Sequence, residues 1–379
     1  MKDSGIEWIG EIPEGWEVGQ IGQLYSERRT KVSDKDYPPL SVTMKGILPQ
    51  LSTAAKTDAH DDRKLVCKGD FAINSRSDRR GSCGISEQDG SISLINTVLK
   101  PRGEMNPGYY NWLFHTSMFA DEFYKWGHGI VDDLWTTGWS DMKKIGVPVP
   151  SKCEQKQLAE HLNFECSNID TILSKTRSSI EEYKKLKQAV ITQAVTEGTP
   201  AMFSSPHSVK LKYLISIVSG EAIRNEQLSD FGEYPVYGGG EIIGFCSQYN
   251  TSEGSLIIGR VGARCGCVTH TTCKSWATDN ALIVLPTCNA KYMYYVIGHC
   301  QLNNLNTSNA QPLITSTKIK NVVVPYFSDA MQQQEIANYL DAKCAEIDGL
   351  IAKKEQLVKE LESYKKSLIY EVVTGKREV

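Results

Sequence analysis

Apolar side chains recur in steps of three, four or seven residues along two segments of the chain, which is the spacing of a heptad-like stripe on a helix. Lys, Glu, Gln and Ser occupy the other faces, and neither segment has an interior proline. The pattern predicts two long helices, over residues 151–198 and 329–379. Their stripes consist of Leu158, Leu162, Ile169, Leu173 and Ile180 in the first helix and of Ile336, Leu340, Ile347, Ile351 and Val358 in the second.

The second predicted helix repeats the first. A shift of 178 positions aligns residues 155–196 with residues 333–374 without a gap, and 12 of the 42 pairs are identical. A helix of about 40 residues is roughly 60 Å long, and it cannot bury an apolar stripe against itself. Each copy is the expected partner of the other, which predicts a coiled coil and a chain built from two halves.

Residues 1–150 and 207–328 follow a different pattern, with short β-rich runs, many glycines and many aromatic residues. In each module a turn leads into an apolar strand and then into a basic loop that contains glycine. The loop of the first module carries Arg76, Arg79 and Arg80, and that of the second carries Arg260 and Arg264. A further strand is expected next, at residues 92–99 and 280–285, and then an aromatic helix-like segment.

Residues 199–206 are rich in turn-forming residues and are predicted to link the two halves. The predicted fold class is therefore α+β, with two β-rich modules separated by two long helices and a pseudo-twofold internal repeat.

The composition describes an ordinary globular protein, with 379 residues, 40% hydrophobic and 23% charged. No apolar run approaches the length of a membrane span, and the opening MKDSGIEWIG lacks the apolar core of a secretory signal. Eleven cysteines are an odd number without the density of a disulfide scaffold, which favours a reducing cytoplasm. The net charge of −3 argues weakly against a nucleic-acid-binding protein, although charge can be segregated locally.

Two segments resemble parts of catalytic motifs. Asn106-Pro107-Gly108-Tyr109 lacks the second proline of the motif with which DNA methyltransferases hold a flipped base, so we interpret it as the turn that begins a helix. The glycines from Gly238 to Gly240 are not followed by Lys-Ser or Lys-Thr, and they indicate a β-turn whose flexible backbone could approach DNA closely. We therefore expect no catalytic residue and no cofactor.

One cysteine-rich stretch leaves open whether a metal binds. Thiolate and imidazole are the usual zinc ligands, but the spacing here lies outside common finger patterns. We favour a strand-turn-strand with incidental cysteines. The stretch contains Cys265, Cys267, His270 and Cys273.

The order of these features resembles one known family. Residues 5–16 read GIEWIGEIPEGW, a proline-ended strand precedes each long helix, the first of these helices begins with Glu-Gln, and the arrangement then repeats. Residues 234–238, YPVYG, add a phrase found near the start of many such modules. The chain thereby resembles, over essentially its whole length, the specificity (S) subunit of a type I restriction–modification enzyme.

The resemblance implies two target-recognition domains, residues 1–150 and 207–328, each reading half of a split site in double-stranded DNA. It also implies that the helices over residues 151–198 and 329–379 form an antiparallel coiled coil. Two methyltransferase (M) subunits would dock on this scaffold, and motor-nuclease (R) subunits can join them. The S subunit itself is noncatalytic, whereas the assembled complex is an adenine-specific DNA methyltransferase and an ATP-dependent endonuclease.

Residue chemistry then suggests which side chains contact DNA. Arginine can bind guanine bidentately, Asn or Gln can do the same to adenine, and lysine more often neutralises phosphate. The alternative for each residue is a charged side chain on a solvated loop. The candidates are Arg76, Arg79, Arg80, Lys125, His128, Arg260, Arg264, Lys274, Asn309 and Gln311.

A second function fits part of the pattern. A coiled-coil adaptor that binds only protein partners would explain the repeated helices, and their stripes would then serve the coil and partner docking. It would not explain why both modules carry a basic loop after an equivalent strand.

Overall fold

A computed structural model of the chain describes residues 1–50, 61–103, 105–129, 135–200, 205–305 and 313–379. The chain forms two compact units. Unit 1 consists of Met1–Lys175 and Leu357–Val379, and unit 2 consists of Thr176–Gln356. The division between the units therefore falls inside both long helices.

Unit 1 contains short strands, short helices and the first half of a long helix. Its strands are β1 (Lys2–Asp3), β2 (Glu11–Ile12), β3 (Glu17–Gln20), β4 (Tyr25–Glu27), β5 (Lys31–Val32), β6 (Leu40–Thr43), β7 (Gly46–Pro49), β8 (Arg63–Val66), β9 (Phe71–Asn74), β10 (Cys83–Ile85), β11 (Gly90–Ile92), β12 (Asn96–Pro101) and β13 (Gly146–Val149). Its helices are α1 (Ile21–Leu24), α2 (Pro107–Phe114), α3 (Ser117–Lys125), α4 (Trp139–Met142) and the beginning of α5 (Lys152–Glu197).

Unit 2 repeats this organisation with fewer elements. Its strands are β14 (His207–Lys210), β15 (Ile215–Ser219), β16 (Tyr234–Gly238), β17 (Glu241–Cys246), β18 (Leu256–Gly259), β19 (Val268–His270), β20 (Trp276–Ala277), β21 (Ala281–Pro286) and β22 (Val323–Tyr326). Its helices are α6 (Ala290–His299), α7 (Ser316–Lys320) and the beginning of α8 (Ala330–Val373), which ends in unit 1.

The main sheets of the two units have the same strand order. In unit 1 the antiparallel sheet runs β10-β9-β12-β4, and in unit 2 it runs β19-β18-β21-β15. When the four strands of each sheet are numbered in chain order, strand 2 lies between strands 3 and 4 in both sheets. Strand 1 lies at the edge, next to strand 4. The internal repeat predicted from the sequence thus extends from the helices into the β-rich modules.

The predicted strand over residues 92–99 is wrong in its bounds. Ile92 ends β11, which belongs to a separate three-stranded sheet, and β12 begins at Asn96. A turn interrupts the chain between them, because the Asn96 backbone N–H and its side-chain Nδ2 both donate to the carbonyl of Ser93, at 3.1 and 3.0 Å.

The long helices pair in antiparallel directions within each unit. In unit 2, Lys187 Nζ lies 2.6 Å from Asp348 Oδ2, and Lys354 Nζ lies 5.7 Å from the ring centroid of Tyr183. Higher numbers on α5 therefore face lower numbers on α8. In unit 1, Lys365 Nζ lies 2.6 Å from Asp170 Oδ1.

These two ion pairs involve equivalent residues of the two sequence copies. The repeat places Asp348 at the position of Asp170, and Lys365 at the position of Lys187. When two copies pack antiparallel, residue i of the first copy faces residue j of the second, and residue j of the first faces residue i of the second. This reciprocity is the rule of a twofold interface. The charge pattern is thus consistent with antiparallel pairing and opposes a parallel one.

A buried glutamine ties each long helix to its module. Gln155 Nε2 donates to the carbonyl of Pro150 at 2.9 Å, and its Oε1 accepts from the backbone N–H of Asn106 at 2.9 Å. Gln333 makes the equivalent bonds to Phe327 and Asn289, at 2.7 and 3.1 Å. Asn106 and Asn289 are the N-cap residues of α2 and α6, so each glutamine fixes the start of two helices at once.

The core of unit 1 is aromatic. The ring centroids of Phe71 and Phe114 are 4.9 Å apart, and those of Phe114 and Phe119 are 4.5 Å apart. Trp8 and Trp16, from the opening segment, are buried in the same core as the C-terminal end of α8. The core of unit 2 is more aliphatic, with the strands β15, β18 and β21 packed against α6 and the start of α8.

Among the residues that the structure describes, no helix is both long enough and apolar enough to cross a membrane.

The glutamine link generates a stability prediction. Replacing Gln155 with Leu removes both hydrogen bonds and leaves a buried carbonyl and a partly buried N–H without their partners, at a cost of about 1–3 kcal/mol. We expect Gln155→Leu, and separately Gln333→Leu, to lower the free energy of unfolding by this amount in urea titrations followed by circular dichroism.

Gln157→Leu is the matched control, because Gln157 is exposed on the same helical turn and surface substitutions usually change stability by no more than about 0.5 kcal/mol. Equal effects of Gln155→Leu and Gln157→Leu would contradict the proposed link.

Candidate nucleic-acid interface

The arginine loop of unit 1 lies between β9 and β10. Arg76, Arg79 and Arg80 flank or belong to a single 3₁₀ turn, and their side chains are 41%, 69% and 52% exposed. Two hydrogen bonds to a later segment of the chain hold the turn in place. The Ser77 N–H donates to the carbonyl of Trp135 at 2.9 Å, and the Trp135 N–H donates to Ser77 Oγ at 3.1 Å. The loop therefore presents three cations from a backbone that is fixed by hydrogen bonds.

His128 joins this loop through Thr136. The His128 N–H donates to the Thr136 carbonyl at 3.1 Å, and the Thr136 N–H donates to the His128 carbonyl at 3.0 Å. Thr136 also forms a β-bridge with Arg76. The structure thus brings His128 next to the arginine loop, as a common DNA surface would require. Its ring Nε2 lies 3.4 Å from Asp141.

The arginine loop of unit 2 lies between β18 and β19, the equivalent place in the sheet. The Arg260 N–H donates to the carbonyl of Asn280 at 2.9 Å, and its carbonyl accepts from Ile314 at 3.0 Å. Arg264 stands at the turn, where its carbonyl accepts from the Cys267 N–H at 3.0 Å. A later segment of the chain braces each loop, residues 135–137 in unit 1 and residues 313–314 in unit 2.

Carboxylates accompany the exposed arginines, which the sequence did not reveal. Arg76 Nε lies 3.0 Å from Asp78, and Asp78 is also within 3.9 Å of Arg79. Arg80 pairs with Asp121, and Arg264 pairs with Glu241. These loops are therefore basic in sequence, but nearby carboxylates offset most of their positive charge. This agrees with the net charge of −3 for the whole chain.

The predicted lysines lie apart from the loops or are engaged elsewhere. Lys125 Nζ donates to Glu7 at 2.9 Å, and this hydrogen bond lowers the pKa of Glu7 and raises that of Lys125. Lys274 Nζ lies 4.4 Å from the ring centroid of Tyr249 and donates to its hydroxyl at 3.2 Å. Lys274 follows β19 whereas Arg264 precedes it, so they flank opposite ends of that strand.

Two further candidates, Asn309 and Gln311, lie outside the described residues. Their prediction as adenine-reading side chains stays a prediction.

The cysteine-rich stretch does not converge on a point. Cys265 Sγ donates to the carbonyl of Arg260 at 3.2 Å, and burial raises the pKa of its thiol. Cys273 lies near Ser275, while the His270 ring packs against Tyr294 with a pKa lowered by burial. In the part of the chain that the structure describes, no group of three or more His, Cys, Asp or Glu side chains is placed to hold a metal ion.

Asn106 has a capping role. Its side-chain Oδ1 accepts from the Tyr109 N–H at 3.3 Å, and Pro107 occupies the first turn of α2. The segment is the start of a helix, as interpreted from the sequence.

The stripe residues predicted for the coil or for partner docking are largely buried. Ile351 and Val358 are partly exposed, and the others are less than 9% exposed. Most of these side chains are covered by the other long helix and by the β-rich module of the same unit, so they are not available on the surface. The buried set is Leu158, Leu162, Ile169, Leu173, Ile180, Ile336, Leu340 and Ile347.

Comparison with known sequences points to one class of protein. Residues 207–360 match a family model described as the type I restriction modification DNA specificity domain. A putative type I specificity subunit of Mycoplasma genitalium is 24% identical over 245 residues, which cover 59% of this chain and 63% of that protein. The specificity subunit of the type I restriction enzyme EcoprrI of Escherichia coli is 29% identical over 110 residues, covering 28% of this chain and 27% of that one. The chain thus matches less than two thirds of the length of either relative.

Solved structures share the fold over nearly the whole chain. One comes from work on complex assembly and conformational transition of the type I R-M system, and it superposes with a TM-score of 0.78 at 12% identity, covering 97% of this chain and 100% of the other. The HsdS subunit of Thermoanaerobacter tengcongensis superposes with a TM-score of 0.57 at 14% identity, with full coverage of both chains. Residues 207–360 thus match the type I restriction modification DNA specificity domain in sequence, and the chain shares the fold of these solved structures over nearly its whole length.

Proposed function

We propose that the chain is the DNA-recognition subunit of a type I restriction–modification complex, and that each β-rich module reads one half of an asymmetric bipartite site. The observation that carries the proposal is the repeated position of the arginine loops, after β9 and after β18, in sheets of identical strand order. Specificity subunits are noncatalytic components of type I systems, so the chemistry would belong to the partner subunits. The chain itself is proposed to need no cofactor.

The asymmetry of the site follows from the difference between the loops. The first reads RSDRRGS over residues 76–82 and the second reads RVGARCG over residues 260–266. Arginine donates two parallel hydrogen bonds to guanine in the major groove, whereas contacts to phosphate carry no sequence information. Two loops with different side chains on similar scaffolds would therefore recognise unrelated half-sites.

The repeated helices suggest how partners bind. Because most of the stripe is buried in the cores of the two units, the repeated outer faces of α5 and α8 offer two equivalent surfaces. Two methyltransferase (M) subunits would occupy them, each flipping one adenine, since a base inside the duplex is out of reach of an active site. Restriction (R) subunits would join this core, and the assembly would act in the cytoplasm.

Exchange of one β-rich module tests whether each module determines only one half of the recognised site. Replacing residues 207–328 with the second module of another specificity subunit should change one half of the methylated sequence and leave the other half unchanged. Methylome sequencing of cells that carry the chimera and the M subunits reads both halves at once. A change in both halves would show that the modules do not act independently.

The arginine loop of unit 1 can be tested by its salt dependence. Replacing Arg76, Arg79 and Arg80 together with Ala should weaken binding of the assembled S–M complex to its site. The slope of log K against log salt should become shallower by about 0.9 for each phosphate contact that is lost. Binding is measured by electrophoretic shift or fluorescence anisotropy over a salt series.

The matched control replaces the same three arginines with Lys, which keeps the positive charge and removes the guanidinium group. With Lys at the same three positions the salt slope should stay close to that of the wild type, while discrimination of guanine falls, because lysine cannot donate bidentately in the same plane. An unchanged slope in the Ala variant would mean that this loop is merely solvated. Absence of DNA binding by the wild-type complex would favour the protein-only adaptor instead.

A further inference from the structure

Arg264 and Glu241 form an ion pair between two different elements of unit 2. Arg264 belongs to the loop between β18 and β19, and Glu241 is the first residue of β17, beside the glycine turn that joins β16 to β17. The contact joins Arg264 Nε to Glu241 Oε1. An arginine held through Nε still has two terminal nitrogens with which to donate to a third group.

The backbone beneath this pair is closely packed. A Cβ atom on Gly259 would lie 2.1 Å from the carbonyl oxygen of Gly239 and 2.5 Å from that of Arg264. Gly239 and Gly240 adopt positive φ angles of 41° and 108°, and Thr269 Oγ1 donates to the Gly240 carbonyl at 3.3 Å. The glycine turn, the end of β18 and the arginine loop therefore meet backbone to backbone, which fixes where the two side chains emerge.

The ion pair contributes little to holding unit 2 together. Both side chains are more than half exposed, 56% for Arg264 and 57% for Glu241. Exposed pairs gain little from Coulomb attraction in water and are screened by salt. A fixed pair that adds little to stability, next to the loop proposed to read DNA, is available for recognition.

The pair matches the edge of one kind of base pair. In the major groove a G·C pair presents two adjacent acceptors, guanine N7 and O6, followed by one donor, the cytosine N4 amino group. A guanidinium beside a carboxylate presents two donors followed by an acceptor. An A·T pair would place its adenine amino group against the guanidinium and its thymine O4 against the carboxylate, so only the contact from the guanidinium to N7 would remain.

We propose that Arg264 and Glu241 together read one G·C base pair in the half-site of the second module, with Glu241 as a specificity-determining residue. The inference rests on the proposed function, since it needs the second module to face the major groove. Glu241 has two roles: it accepts from the cytosine amino group, and its contact with Arg264 Nε keeps that guanidinium in place beside the carboxylate and away from phosphate.

The test measures sequence preference and salt dependence in the same variants. The S–M complex is prepared with wild-type chain, Glu241→Ala, Glu241→Gln and Arg264→Ala, and its binding to randomised duplexes is sequenced. In both Glu241 variants, preference for G·C should fall roughly 5- to 150-fold at one position of one half-site, and the other half-site should not change. Arg264→Ala should relax the same position.

The salt series separates a reading role from a structural one. Glu241→Ala frees Arg264 to contact phosphate, so binding to nonspecific DNA should tighten and its salt slope should steepen by up to about 0.9. Arg264→Ala should not steepen it. Glu226→Ala, at an exposed glutamate elsewhere in unit 2, is the matched control and should alter neither quantity. All variants should melt at the wild-type temperature.

Three results would overturn the inference. One is unchanged preference at every position in both Glu241 variants. Another is relaxation at different positions in the Glu241 and Arg264 variants. The third is a wild-type complex without any sequence preference, which would overturn the proposed function as well and is recognised before any variant is examined.

Discussion

A long amphipathic helix has to find a partner for its apolar stripe, and the rest of this fold depends on that constraint. The helices α5 and α8 have 46 and 44 residues, and neither can bury its stripe alone. Repetition of the sequence solves the problem inside one chain, because each helix carries the stripe and the charges that suit the other. Asp170 with Lys365 and Lys187 with Asp348 show the solution at the level of single side chains.

The β-rich modules share apolar cores with the long helices, and a fixed orientation needs a directional attachment as well. The buried glutamines supply one, since each bonds to the chain just before its own helix and to the N-cap of the module's aromatic helix. Buried polar groups are costly unless fully bonded, so an amide with both atoms engaged favours one arrangement over its neighbours. Each β-rich module thereby gains a defined orientation relative to the half of the coil within the same unit.

Much of this architecture could be predicted from the sequence, because periodicity and repeats are local signals. The long helices, the strand before each, and the basic loop after an equivalent strand were all visible in that way. The partners of Arg80 and Arg264 were not, since Asp121 and Glu241 are distant from them in sequence and meet them only through tertiary folding. The position of Lys274 was not predicted either, because the short strand β19 separates it from the loop that carries Arg264. Gln155 was noticed as part of a repeated motif, but only the fold shows that it is buried and bonded on both sides.

The close approach of Gly259 to the backbone of Gly239 and Arg264 has an evolutionary consequence. Any side chain at Gly259 would push the arginine loop out of place, whereas the neighbouring exposed side chains can be exchanged without moving the backbone. Selection can therefore explore new side chains at the positions of Arg264 and Glu241 while the frame beneath them stays constant. Under the proposed function, new sequence preferences would then arise by substitution at a few surface positions, at little cost in folding stability, while the β-rich module beneath them keeps its fold.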